Sequence, residues 1–215
     1  MKTQSILFIA MGMVFAAPAA LAQNQSAPYT AQPMARQAQA YPIVGGAQML
    51  PQRDIIDNAV NSKDHTTLVS AVKAAGLVDT LKGKGPFTVF APTNAAFQQL
   101  PTGAVEDLLK PANKDSLTKV LTYHVVAGRI DSQTLARQIK AGGGKAMLTT
   151  VEGEPLTAEM AGNGIKLVDQ QGNMAMITQS NVSQSNGVIH VIDKVLMPAP
   201  ASVAANAKSI GKPGM

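Results

Sequence analysis

The stretch FTVFAPTNAAF, Phe87 to Phe97, decides how the rest of the chain is read. Phe87, Val89 and Ala91 alternate to one side of an extended segment and Phe90 points to the other, so both faces are apolar and the segment reads as an interior strand. Pro92 ends it, because proline cannot donate to a ladder. Two readings fit the polar residues that follow. Thr93 or Asn94 can cap a helix whose Phe97 and Leu100 turn inward; alternatively, Asn94 and the neighbouring backbone N–H groups form a small polar site at a helix N-terminus. Capping accounts for the polar residues in full and is preferred.

Working outward, the N-terminal side of this corner is helical. In RDIIDNAVNS the residues Ile55, Ile56, Ala59 and Val60 share one face. In DHTTLVSAVKAAGL, Thr66 or Thr67 is the expected cap, Leu68, Val69, Val72 and Ala75 form the stripe, and Gly76 is the stop. Downstream, AVEDLLKP closes before Pro111. NKDSLTKVLTYH starts from Asn113 and lines up Leu117, Val120, Leu121 and His124, and IDSQTLARQI is a further short helix. Residues 145–198 then read as strands separated by Gly- and Asn-containing turns, with Met174 and Met176 alternating toward a packed face. Helices followed by antiparallel strands give an α+β architecture.

The ends of the chain have a different character. Met1–Lys2, a short apolar run and Ala20-Leu21-Ala22 read as a signal peptide over residues 1–22. Residues 23–48, rich in Gln, Ala and Pro, read as a flexible spacer, and residues 200–215 as a disordered tail. One domain is expected over residues 49–199. No segment is long and apolar enough for a membrane helix of about 20 residues. The expected destination is the periplasm or the cell exterior, as a secreted monomer. The formal charge is +5, of which Lys2 leaves with the signal. Lysines are scattered and aromatics sparse, which excludes a nucleic-acid surface. There is no cysteine, hence no disulfide framework.

With the corner in place, FTVFAPTNAAF, LTYHVVAG (Leu121–Gly128) and NGVIHVIDKVLMP (Asn186–Pro198) resemble, in order and spacing, three signature blocks of the fasciclin (FAS1) domain family. The resemblance implies the FAS1 fold, a wedge-shaped β-sheet or sandwich flanked by several α-helices. It also implies a non-enzymatic function in cell-surface adhesion or protein and matrix interaction, with an unidentified surface or matrix macromolecule as partner. In related animal proteins the Tyr-His block is associated with integrin-dependent adhesion. Ala95–Ala96, where the family often has an acidic residue, and Ala127–Gly128, where it usually has Pro-Gly, leave the apolar framework untouched.

The residues singled out as candidate interaction or signature positions are Thr93, Asn94, Tyr123, His124, His190 and Asp193. A general-base role for His124 would need a nucleophile and an orienting acid, and no G-x-S-x-G elbow is present. His124 reads instead as a core histidine whose nitrogens satisfy backbone groups. His65, His124 and His190 lack a second ligand at helical spacing, so no metal is expected. AGGGKAM fails the phosphate-loop pattern, and no cofactor is expected. The runner-up function is a periplasmic protein that binds a small ligand or an envelope polymer; a weak hydrolase using His124 or His190 ranks last.

Overall fold

A computed structural model describes residues 41–199. The expected signal peptide, most of the spacer and the tail from residue 200 lie outside the described residues. The spacer expected over residues 23–48 needs a correction at its end. Strands β1 (Ile43–Val44) and β2 (Ala47–Gln48) form a hairpin. Gly45 and Gly46, both at positive φ, make the turn that side-chain-bearing residues resist. Val44 and Met49 are buried in the core. Burying a valine side chain contributes about 2 kcal/mol, enough to explain why so short a hairpin is held.

The helical half follows. Helix α1 (Ile55–Ala59) is capped by Asp54, which accepts from the Asp57 N–H at 2.8 Å. It lasts only five residues, so Val60 lies beyond it and is 50% exposed rather than inward. Asn58 takes the buried place. Its amide accepts from Leu50 N (3.1 Å), donates to Leu50 O (2.8 Å) and pairs with Gln184. Helix α2 (Thr66–Ala75) buries Leu68, Val69, Ala71, Val72 and Ala75 and stops at Gly76 in the left-handed region. Neither Thr66 nor Thr67 caps it; a 3-10 turn (Lys63–His65) runs straight into it, and His65 holds the cap position without a side-chain bond. Helix α3 (Val78–Lys82) comes next. The opening stretch forms β3 (Phe87–Pro92) and α4 (Asn94–Gln98). Then come α5 (Ala104–Leu108), α6 (Lys114–Tyr123), β4 (Val125–Ala127) and α7 (Ser132–Ala141). Asn113 occupies the cap position of α6, but its side-chain amide donates to Asp107 O at 2.7 Å instead.

The strand half contains β5 (Lys145–Thr149), β6 (Pro155–Ala161), β7 (Gly164–Val168), β8 (Met174–Gln184) and β9 (Gly187–Ile192). They join β3 and β4 in one sheet of order β4-β3-β9-β8-β7-β6-β5. A bridge between Val126 and Thr150 and the bond from Val151 N to Val125 O bring the two ends together, so the sheet is nearly a barrel. The pairings are antiparallel except one: β3 runs parallel to β9, Phe90 opposite His190. The helices-then-antiparallel-strands pattern does not contain this pairing, because β3 lies far upstream of its partner. The architecture is α+β, with helices packed on a large mixed sheet.

β3 divides two cores, as its alternation requires. Val89 and Ala91 join Ile55, Ile56, Leu68, Val72, Leu121 and Ile189 on the helical side. Phe90 joins Tyr123, Leu135, Ile139, Leu156, Leu167 and Ile192 inside the near-barrel. Met174 and Met176 are a correction in the same terms. Ala175 between them is the inward residue, and Met174 stands outside at 52% exposure; a period of two does not say which face is the core one.

Candidate functional site

The corner after β3 is built by two different caps. Thr93 Oγ1 accepts from the Ala96 N–H at 3.2 Å and caps α4. Asn94 is then the first residue of α4, and its side chain turns away to another helix. Its Oδ1 accepts from the Thr67 N–H at 3.0 Å, in the first turn of α2. Its Nδ2 donates to Lys63 O at 2.8 Å and to Thr66 Oγ1 at 3.0 Å. Asn94 therefore supplies the cap that neither threonine gives α2 and ties two helix starts together. The amide has both ends engaged within the protein.

Tyr123 and His124 sit where α6 passes into β4, and both are buried. The Tyr123 hydroxyl donates to Pro155 O at 3.1 Å. Burial, with the carboxylates of Asp169, Glu154 and Glu152 adding to it, pushes its phenol up to about 12. His124 Nδ1 donates to Val120 O at 2.7 Å, and Nε2 accepts from the Leu196 N–H at 3.0 Å. Both ring nitrogens are satisfied by backbone, and the tautomer follows: the proton is on Nδ1. Burial drives its pKa down to about 4, so the ring is neutral at pH 7.

His190 is fully buried in β9 and stacks on Phe90 with ring centroids 5.6 Å apart. Its Nε2 donates to Ile130 O at 2.9 Å, and burial lowers its pKa. Nδ1 faces the N–H of Asn181 at 3.4 Å, at a bulge where Asn181 takes φ 61°. Asp193, just past β9, accepts from Met176 N at 2.7 Å, and its carbonyl accepts from Gln99 Nε2 at 2.9 Å.

The six candidate residues are thus not one constellation. Thr93 and Asn94 join helices, Tyr123, His124 and His190 wire the interior, and Asp193 fixes the end of β9. Among the described residues no group of three or more His, Cys, Asp or Glu side chains is placed to hold a metal. His124 and His65 share an apolar cavity of about 40 Å³ on the helical side of β3. A water needs roughly 10–15 Å³ on such a measure, so the cavity has room for a few waters and not for a metabolite.

Sequence reasoning passed over the open outer face of the sheet. Met147, Thr157, Val168 and Met174 lie opposite one another across β5 to β8, and Lys145, Glu159, Lys166 and Met176 form the next row. Met147 is 75% exposed. Glu159 is bracketed by Lys145 at 2.8 Å and Lys166 at 3.0 Å, and these cations lower its pKa. The alternation in KAMLT carried the signal, since Ala146 and Leu148 face in and Met147 out.

Comparison with known proteins fits this geometry. The family model described as the fasciclin domain matches residues 63–198. Protein sll1483 of Synechocystis is 47% identical over 144 residues, covering 67% of this chain and 73% of that protein. The cell surface glycolipoprotein MPB83 of Mycobacterium bovis is 33% identical over 159 residues, covering 72% and 64%. Among solved structures, a FAS1 domain pair from the insect cell adhesion molecule Fasciclin I matches with a TM-score of 0.60 at 18% identity. That match covers 67% of this chain and 51% of the insect chain, about half its length, and shows the shared fold.

Proposed function

The chain belongs to the fasciclin family, and on that premise we propose that it is a secreted, non-enzymatic protein of the periplasm or cell exterior. It acts by binding a surface or matrix macromolecule, in adhesion or in protein and matrix interaction. The observation that carries this reading is where the reactive side chains are spent. Tyr123, His124 and His190 are buried with their polar atoms on backbone groups, which takes these three out of general acid–base chemistry. What the domain offers a partner is surface, and the outer face of β5 to β8 offers an apolar row beside a charged one. The named relatives agree in kind: one is called a cell surface glycolipoprotein and the insect protein a cell adhesion molecule. No helix among the described residues is long and apolar enough to cross a membrane.

A deletion strain complemented with wild type or with the pair Met147→Glu and Met174→Glu tests the reading. Loss of attachment or aggregation in the double variant, with unchanged melting of the purified protein, is the expected result. Full attachment by the deletion strain overturns the adhesive function. A metabolite that raises the melting temperature of the wild type points to ligand binding instead.

A further inference from the structure

The sequence holds eleven methionines and no cysteine, so every side-chain sulfur is a thioether. Among the described residues these thioethers fall into distinct environments. Met49 is 2% exposed in the helical core, and Met197 packs against the same core. Met147 and Met174 are 75% and 52% exposed, and neither belongs to either core. Register sets these two at opposite ends of one outer row, Met147–Thr157–Val168–Met174. Neighbouring strands lie about 4.8 Å apart, so the row is about 14 Å long. Met176 shares the outer face but is half-buried, in the row of Lys166. Met160 has the other parity: it lies opposite the buried Ile165, and it is 39% exposed near the end of β6.

The outer pair is separable from the fold. Ala146 and Leu148 flank Met147 on the inner side, and Ala175 follows Met174; these three are buried and anchor the strands. Of the large apolar side chains exposed among the described residues, Met147 and Met174 are the two on the outer face of β5 to β8. The neighbouring row is charged, with Glu159 held between Lys145 and Lys166. The apolar character of the face therefore depends on two accessible sulfur-bearing side chains. An unbranched thioether adapts its shape to an apolar contact, and gaining one oxygen turns it into a polar group.

We propose that Met147 and Met174 form a reversible oxidation site that removes the apolar contact row while leaving the fold intact. The inference rests on the reading of this face as the contact surface. The oxidant is a peroxide. A sulfur lone pair attacks one peroxide oxygen, the O–O bond breaks, an S–O bond forms, and the other oxygen leaves as water. The sulfur loses two electrons and the peroxide gains them. The sulfoxide is polar and accepts hydrogen bonds, so water covers both ends of the row. Reversal takes a methionine sulfoxide reductase and a dithiol: the oxygen leaves as water and the dithiol becomes a disulfide. With no cysteine of its own, the chain draws that reductant from outside.

The experiment treats the mature chain with dilute hydrogen peroxide and maps each methionine by peptide mass spectrometry. Met147 should gain one oxygen first and Met174 next, while Met49 stays unmodified and the melting temperature is unchanged. Retention on a hydrophobic-interaction column should fall, and reductase with dithiothreitol should restore it. The double variant Met147→Leu and Met174→Leu keeps an apolar row of similar volume without sulfur. It should hold its retention after peroxide even when Met160 is oxidised, which separates the row from the strand end. Cells complemented with wild type should lose attachment after a peroxide wash, and cells carrying the leucine variant should keep it. Oxidation of Met49 as fast as Met147, or a lowered melting temperature, overturns the site. Equal loss of attachment in the leucine variant overturns the switch. Full attachment by the deletion strain overturns the adhesive function and the switch acting on it, whereas mapping and retention judge the oxidation site by themselves.

Discussion

Replacing Asn94 with alanine separates a binding role from the structural one the geometry gives it. The side chain makes three bonds at 2.8–3.0 Å, to Thr67 N, Lys63 O and Thr66 Oγ1, and a longer contact at 3.3 Å between its Oδ1 and the same Thr66 hydroxyl. The Thr67 N–H is one of the first-turn donors of α2 that lack an intrahelical partner, and loss of a side-chain cap costs about 1 kcal/mol. The two bonds made by Nδ2 add about 0.5–1.5 kcal/mol each at most, and less here because Asn94 is half-buried and water can replace it. Asn94→Ala is therefore expected to lose about 2–3 kcal/mol by urea denaturation at unchanged m-value, or about 5–10 °C in Tm for a domain of this size. Asn94→Asp keeps the acceptor for Thr67, adds a negative charge at the start of α2, and loses only the two donors. It should fall between wild type and alanine, down by about 1–2 kcal/mol. A loss under about 0.5 kcal/mol in the alanine variant refutes the shared-cap reasoning, and impaired attachment with intact stability would return Asn94 to the surface as a contact residue.

Phe97→Ala removes a buried aromatic ring from the helical core and should cost about 3–5 kcal/mol; unchanged melting would place Phe97 outside the core. Tyr123 should ionise only near 12, so ultraviolet titration should show one phenol lagging the others, and Tyr123→Phe should abolish the late step. His124 also makes global stability fall in acid. Its pKa is depressed on folding, so the neutral ring's contribution is complete above about 6.5 and is lost as pH falls toward its folded value of about 4, a total of about 3 kcal/mol. Urea midpoints from pH 7.5 to pH 4 measure this, and a flat profile would mean that His124 is solvated in the folded state.

Much of the fold was legible because it rests on short-range alternation. Val89 and Ala91 on one core, Phe90 on the other, and Gly76 at a helix stop follow from period and backbone freedom alone. What escaped depends on pairs far apart in sequence. The parallel match of Phe90 with His190 spans most of the domain, and Asn94 caps a helix that begins nearly thirty residues earlier. The hairpin at residues 43–48 was hidden because its two valine-and-isoleucine positions are diluted in a Gln- and Pro-rich stretch. Met174 was misread because methionine is apolar on any scale yet flexible enough to stand on an outer face. The acceptors of the Leu196, Met197 and Ala199 amides, on His124, Asp169 and Glu154, lie 72, 28 and 45 residues away, beyond any local pattern.

The Tyr-His block shows why a recognisable motif need not be a contact site. A hydroxyl and an imidazole invite a chemical or adhesive reading, yet each has its polar atoms on backbone and its ring in a core. Replacing either would disturb binding through the fold: His124 holds α6 against Leu196 in the segment after β9, and Tyr123 holds β6 against the end of the same helix. Loss of attachment in a His124 variant is therefore not evidence of contact unless the variant's fold is shown to be intact. Substitutions on the outer sheet face carry no such ambiguity, because Met147 and Met174 touch solvent and their loss leaves both cores intact. A partner that binds this domain should respond to those two residues directly, and to His124 only through the fold.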